Sequence, residues 1–413
     1  MVGSRASWWR RLPGWAWALP WLVLAALMWA WAWPMQWQRA CWMGEWPFEE
    51  GCPRVPRGAA VDNPPEVYRH YLAQNVGDSR ALVWLARALW NTHDAAARPL
   101  LPWALRLAPQ HPHALAMQAD AQLQAGDWTG AAGTLIDLVE SGQPQARQAL
   151  LALMATPATQ EAVLARLTPD ARWLDPLLAG LDRARPVQAL LPFVSRGQAL
   201  GLLKPATLLG IIDRLKGEHA WIDAYALWVS WQGEVRAGLY NGGFDQPMLR
   251  RGFDWEWVEQ PAARQGLRIE QLPALPNPGQ MLELRLTGRA ALPVPLLAQT
   301  LVLPGPRYRL RGQYLARDLV TQEGLVWALR CASGGERWAQ SAPLLDTRGR
   351  WQGFEITFQP PPECGAAVAL RLEPTAPWEA RAGMLGTVLL DDFTIESMPS
   401  DLDAGAAPRA NRS

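Results

Sequence analysis

The chain has 413 residues, 39 basic against 38 acidic side chains, and 25 tryptophans. That length supplies two or three domains with ample core, while a formal charge of +1 leaves no basic face of the kind nucleic acid requires. A hydrophobic content of 49% with 19% charged residues excludes an intrinsically disordered chain.

Eleven of the tryptophans fall in the first 46 residues. Arg11 and Arg39 bracket 27 uncharged residues, Leu12 to Gln38, and about 20 residues of apolar helix cross a bilayer core. Trp15 and Trp17 stand before the most apolar stretch and Trp31, Trp33 and Trp37 after it, where indole rings favour the two headgroup levels. Arg5, Arg10 and Arg11 precede the stretch. These features predict a cytoplasmic N-terminus (1–11), a transmembrane helix (12–37), and a single-pass inner-membrane protein with its bulk in the periplasm. A cleaved signal peptide with Ala30-Trp31-Ala32 at its end, or a buried soluble helix, are the competing readings.

Residues 38–65 form a Pro/Gly-rich linker containing Cys41 and Cys52. The other two cysteines, Cys331 and Cys364, lie on two predicted strands. An even count in an exported chain predicts disulfides within each pair; metal binding is the rival, with no histidine at ligand spacing.

From 66 to 235 the pattern is helical and Ala/Leu-rich. Ala81, Leu85, Ala97 and Leu101 recur 34 residues later as Leu115, Ala119, Ala131 and Leu135. Pro109 ends the first unit, and Gly126-Asp127-Trp128 makes the turn inside the second. This resembles tetratricopeptide repeats over about two units, although Ala88 and Gln122 stand where the usual tyrosine would be. The resemblance implies an α-solenoid whose groove takes a protein partner. Further helices are predicted over 145–154, 160–167, 174–182, 187–193, 207–216 and 218–231, with Trp84, Trp90, Trp103, Trp221 and Trp228 as packing residues.

At about Tyr240 the period becomes two. Leu282, Leu284 and Leu286 alternate with polar residues, as do Tyr308, Leu310 and Tyr314, then Leu325, Trp327 and Leu329. Phe354, Ile356 and Phe358 follow, then Val368, Leu370 and Leu372, and finally 389–396. Half-buried antiparallel strands between Pro/Gly turns predict a β-sandwich over 236–397, followed by a disordered tail, 398–413. The fold class is therefore multidomain: a transmembrane helix, an α-solenoid and an antiparallel β-sandwich.

Asn241-Gly242-Gly243-Phe244-Asp245 opens this last domain and Leu389-Leu390-Asp391-Asp392-Phe393-Thr394-Ile395-Glu396 closes it. Together they resemble the first and last strands of jelly-roll carbohydrate-binding modules, with Asp245 in place of the commoner Glu. The resemblance implies a structural calcium held by Asp245 with Asp391 or Asp392. Strict alternation puts Asp391 on one face with Leu389, Phe393 and Ile395, and Asp392 on the other. An Arg salt bridge or a hydrogen-bonded Asp at a bulge are the alternatives to calcium. Sugar rings stack on exposed aromatics, so Trp255, Trp257, Tyr308, Tyr314, Trp338 and Trp378 are the saccharide-binding candidates, each with core packing as its alternative.

No catalytic motif appears: no H-E-x-x-H, G-x-S-x-G, Walker A or G-x-G-x-x-G. All five histidines precede the β-domain, and His111-Pro112-His113 reads as a turn, not a metal site. The expectation is a non-enzymatic protein that binds a polysaccharide. Its combination of parts resembles accessory factors of bacterial exopolysaccharide or lipopolysaccharide assembly. A purely protein–protein adaptor and a glycan-active hydrolase are the alternatives.

Overall fold

The computed structural model describes residues 23, 25, 27–29, 64–74, 76–182, 185–233, 238–259, 266–274, 278–288 and 290–398. Among these, no helix is long and apolar enough to cross a membrane. Of the predicted span only Val23, Ala25, Leu27, Met28 and Trp29 are described, as exposed helical residues. The transmembrane helix, the inner-membrane and periplasmic location, the cytoplasmic N-terminus and the membrane as a partner are therefore corrected. The envelope-assembly role rested on that anchor and falls with it. The Cys41–Cys52 pair and the tail from 399 lie outside the described residues, as does the linker up to residue 63.

The chain divides into two compact units, residues up to Arg166 and residues from Leu167 onward. The first is a run of helices: α1 (Pro65–Gln74), α2 (Ser79–Asn91), α3 (Ala97–Leu107), α4 (Pro112–Ala125), α5 (Trp128–Glu140), α6 (Pro144–Ala155) and α7 (Pro157–Leu164). Their ends follow from capping chemistry. The Asp78 carboxylate accepts the N–H groups of Arg80 and Ala81, and that of Asp127 accepts Gly130 N–H at 2.9 Å. Gly126 closes α4 at φ 73°, a left-handed conformation that glycine adopts freely. Seven of the eight residues of the 34-residue repeat are buried, with Leu115 half-buried. A helical repeat region is thus present, small residues lying where successive helices meet.

The second unit opens with α8 (Leu174–Ala179), a short 3-10 turn (Gln188–Leu190), α9 (Leu191–Ala199), α10 (Pro205–Gly217) and α11 (Trp221–Gln232). These helices group with the β-strands that follow. One sheet has the order β1 (Leu267–Pro273), β2 (Gln280–Thr287), β9 (Leu385–Ser397), β4 (Tyr308–Val320), β7 (Gln352–Phe358). The other has the order β3 (Leu297–Val302), β8 (Ala367–Pro374), β5 (Leu325–Cys331), β6 (Ala339–Gln340). Every pairing is antiparallel. A short helix α12 (Pro377–Ala382) precedes β9. The core lies between the sheets, where Leu284, Leu310 and Leu390 of one face Trp327, Leu370 and Leu372 of the other.

Cys331 at the end of β5 bonds to Cys364 across 33 residues. Cys364 sits on a 3-10 turn, Pro362–Cys364, not on a strand.

Strict alternation along β9 fails at one point. The β4–β9 register slips between Arg311 and Gln313, and Asp392 takes φ 56°. This is a β-bulge, which inserts one residue and reverses the phase of the strand. The core face of β9 is therefore Val388, Leu390, Phe393 and Ile395. Asp391 is half-buried and keeps a face with Leu389, which lies outside that core, but not with Phe393 and Ile395 as strict alternation predicts.

Candidate functional site

The Asn-Gly-Gly-Phe-Asp loop is held from three sides. Gln299, buried on the inward face of β3, donates from Nε2 to the Tyr240 carbonyl at 2.8 Å. The Trp255 indole donates to the Asn241 carbonyl at 3.0 Å, and Phe393 N–H to the Gly242 carbonyl at 2.9 Å. Asn241 closes the loop on itself: its side-chain oxygen accepts Gln246 N–H and its amide donates to Gln246 O. A Cβ on Gly242 would lie 2.1 Å from the Phe393 carbonyl oxygen, so only glycine fits there.

On the helical side, Tyr225, Trp228 and Val229 of α11 stand three and four residues apart and share one face. Trp228 is 2% exposed and meets Tyr240 edge to face at 5.0 Å. Tyr225 packs on Phe253 at 5.1 Å. Burial pushes the Tyr225 phenol up, opposed by the Gly238 N–H donated to it, so it stays neutral. Two contacts fix the segment below. Asp213 of α10 accepts from Arg251 Nε at 2.8 Å and Gly252 N–H at 2.9 Å, and Lys216 reaches Glu256 at 2.7 Å.

Between these walls lies an open cleft of about 470 Å³. Tyr225, Trp228 and Tyr240 supply its aromatic side, and Asn241, Asp245, Gln246, Asp392 and Thr394 its polar side. Asp245 Oδ1 accepts Gln280 N–H at 2.8 Å, and Asp392 Oδ2 accepts the Gln313 amide at 3.0 Å. Asp391 stands behind them and does not line the cleft. Its Oδ1 accepts Asp392 N–H at 2.8 Å. Burial raises its carboxyl to about 6, opposed by that backbone donor and aided by repulsion from Asp392 and Asp245.

The structure thus brings Asp245, Asp391 and Asp392 to one corner, in the bulge arrangement, with no arginine paired to them among the described residues. Among the described residues, no group of three or more Asp, Glu, His or Cys side chains is gathered to hold a metal ion.

The six aromatic candidates are scattered. Trp255 has no exposed surface and packs against Phe244, Phe393 and Trp327. Tyr308 and Tyr314 are also core residues; the Tyr314 hydroxyl donates to Gln352 at 3.0 Å. None of these three offers a ring face to a ligand. Trp257 is half-buried under the Arg250 guanidinium at 4.2 Å, and Trp338 is half-buried against Phe358. Trp378 on α12 is the exposed member, at 45%. The residues that do form a cleft, Tyr225 and Tyr240, are absent from that set. The available signal was the position of Tyr240, immediately before Asn241-Gly242-Gly243.

In the first unit a groove of about 460 Å³ is lined by Arg87, Trp90, His113, Met117, Asp120 and Leu135, among others. Its polar groups engage one another: Trp90 Nε1 and Gln124 both donate to Asp120, and Arg87 Nη1 lies 2.6 Å from His113 Nδ1. Burial, then Arg87, then His111 press His113 down to about 4. Burial, Arg80 and Arg87 lower His111 as well. His111 serves as the N-cap of α4. His113 lies in the first turn of α4, so the His-Pro-His stretch is a helix start with the Arg80 and Arg87 charges beside it.

No family model matches the chain, and no curated protein matches it. Among solved structures, one described as "CBM4 structure and function" aligns at 17% identity and TM-score 0.30, over 39% of this chain and 99% of that one. The CBM22-1 xylan-binding domain from Paenibacillus barcinonensis Xyn10C aligns at 16% identity and TM-score 0.26, over 39% and 96%. A family 11 carbohydrate-binding module of Clostridium thermocellum aligns at 9% identity and TM-score 0.23, over 40% and 97%. Figures this low transfer no function; the functional reading below comes from the cleft.

Proposed function

We propose that the second unit is a non-catalytic saccharide-binding module whose ligand lies in the cleft between α11 and the Tyr240–Gln246 loop. One observation carries the reading: aromatic rings and unspent oxygen acceptors face a single open cleft of about 470 Å³, a size typical of small-ligand sites. Saccharides present apolar C–H faces and rows of hydroxyl donors. Tyr225 and Tyr240 supply ring surface for the first, and the second oxygens of the Asp245 and Asp392 carboxylates accept from the second. Binding, not turnover, suits the arrangement. The two carboxyls raised toward a general acid's range, Asp391 and the fully buried Asp254, are both held off the cleft, whereas a glycosidase needs both of its carboxyls at the scissile bond.

The test is affinity electrophoresis of the full chain through gels carrying a panel of polysaccharides. Retardation by at least one glycan, lost in Tyr240→Ala and reduced in Asp245→Asn, is the expected result. A folded wild-type chain that is retarded by none would refute the reading, and release of reducing ends that one acidic substitution abolishes would refute its non-catalytic part.

A further inference from the structure

We propose that the cleft selects saccharides carrying a free, protonated amine over their neutral counterparts and rejects their acidic ones. This rests on the saccharide reading above and adds the ligand's charge. The argument is charge complementarity. Several carboxylates elsewhere in this unit are matched by cations: Glu355 by Arg311 at 2.8 Å, Glu373 by Arg330 and Arg371 at 3.0 and 2.8 Å, Glu283 by Arg285 at 2.6 Å, Glu256 by Lys216 at 2.7 Å. Asp245 and Asp392 line the open cleft without a paired cation among the described residues. Among the described residues their donors are uncharged, the Gln280 N–H and the Gln313 amide, and each uses one oxygen of the carboxylate. The other oxygen of each is left for a ligand.

No Lys, Arg or His stands among the described residues that line the cleft. An ammonium group placed there makes charge-assisted hydrogen bonds, which are roughly twice as strong as neutral ones. The Tyr225 and Tyr240 rings reinforce it, since a cation near an aromatic face is attracted to the ring quadrupole. A uronate in the same place adds a like charge within the roughly 8 Å over which charges act at physiological salt. A neutral sugar keeps the stacking and loses the ionic component. The order of affinity is therefore amine-bearing, then neutral, then acidic.

Isothermal titration of the full chain decides this, with oligomers of glucosamine, N-acetylglucosamine, glucose and galacturonate at matched length. The pH is kept mildly acidic so that the amine is protonated. The glucosamine oligomer should bind about tenfold tighter than its N-acetylated form, a preference that shrinks at high salt. The double variant Asp245→Asn, Asp392→Asn should abolish the preference, weakening the glucosamine oligomer about tenfold more than the glucose oligomer. Both asparagines can still accept the Gln280 and Gln313 hydrogen bonds, and asparagine tolerates the positive φ at position 392, so the fold is preserved.

Equal affinities for glucosamine and glucose oligomers, both lost in Tyr240→Ala, overturn the charge selectivity and leave the saccharide reading standing. No binding of any oligomer sinks both. A preference that survives the double variant places the amine elsewhere and overturns the proposal. So does calcium that saturates the corner and erases the preference when the titration is repeated with the ion and then with chelator.

Discussion

Asp254 offers a sharp test of the packing beneath the cleft. Its side chain has no exposed surface. Oδ2 accepts Leu249 N–H at 2.5 Å and Arg250 N–H at 3.4 Å, while Oδ1 has no donor. Burial raises the carboxyl from 3.8 to about 6; the N–H groups of Trp255, Leu249 and Arg250 oppose this and Glu256 adds to it. The folded state thus holds its proton more tightly than the unfolded chain. Below 3.8 both states are protonated and the group contributes no penalty. As pH rises from 3.8 to 6 the unfolded chain ionises first and stability falls; above 6 the loss is constant. The gap corresponds to about 3 kcal/mol. Asp254→Asn keeps an acceptor for Leu249 and Arg250 and removes the charge. The variant should match the wild type near pH 3.5 and exceed it by about 3 kcal/mol at neutral pH. The assay is urea unfolding of both full chains across that pH range, following the transition that shifts when the Cys331–Cys364 disulfide is reduced. Parallel pH dependence of the two proteins, or a variant less stable at neutral pH, would refute the argument.

Opening the Cys331–Cys364 bond frees a 33-residue loop, and loop-closure entropy sets the loss at about 4 kcal/mol; comparing urea midpoints with and without reductant measures it. Trp255→Ala removes a fully buried indole among Phe244, Phe393 and Trp327 and should cost about 3–5 kcal/mol. Trp378→Ala, at an exposed position, should change stability by less than about 0.5 kcal/mol and leave saccharide affinity intact, which thermal unfolding and titration check together. Gln299→Leu deletes the donor to the Tyr240 carbonyl and should cost about 1–3 kcal/mol. It should also weaken saccharide binding with no change at the carboxylate rim, seen as a loss shared equally by neutral and amine-bearing oligomers.

The parts of the fold legible in the sequence are those with local causes. Asp78, Gly126 and Asp127 mark helix ends through capping that involves only near neighbours. The strands β2, β4, β5, β7, β8 and β9 show period two because one face is buried. Strand β3 does not, because Gln299 occupies an inward position between Leu297 and Leu301, its amide engaged by a distant carbonyl. The bulge at Asp391 and Asp392 breaks the phase that alternation assumes, and its cause is a pairing with β4 many residues away. Alternation likewise groups Trp255 with Trp257. The segment is not a strand, however. Only Glu256 bridges to Ala298, leaving Trp255 in the core and Trp257 half-buried. The acidic corner was visible as a set of residues, its chemistry less so. The cleft was not visible at all, since Tyr225 reaches Tyr240 only through the packing of α11 on the sandwich. The tryptophan-rich N-terminal segment shows that an apolar, Trp-flanked composition suggests a span without establishing one: among the described residues no helix is long and apolar enough to cross a membrane.

The most direct test of the central claim is a crystal structure of the full chain soaked with the oligosaccharide that binds best in solution. The account predicts a sugar ring against Tyr225 and Tyr240, with hydroxyl or amine groups on the Asp245 and Asp392 carboxylates. Ordered saccharide on Trp378 or on an outer sheet face, with the cleft between α11 and the Tyr240–Gln246 loop holding only solvent, would contradict it.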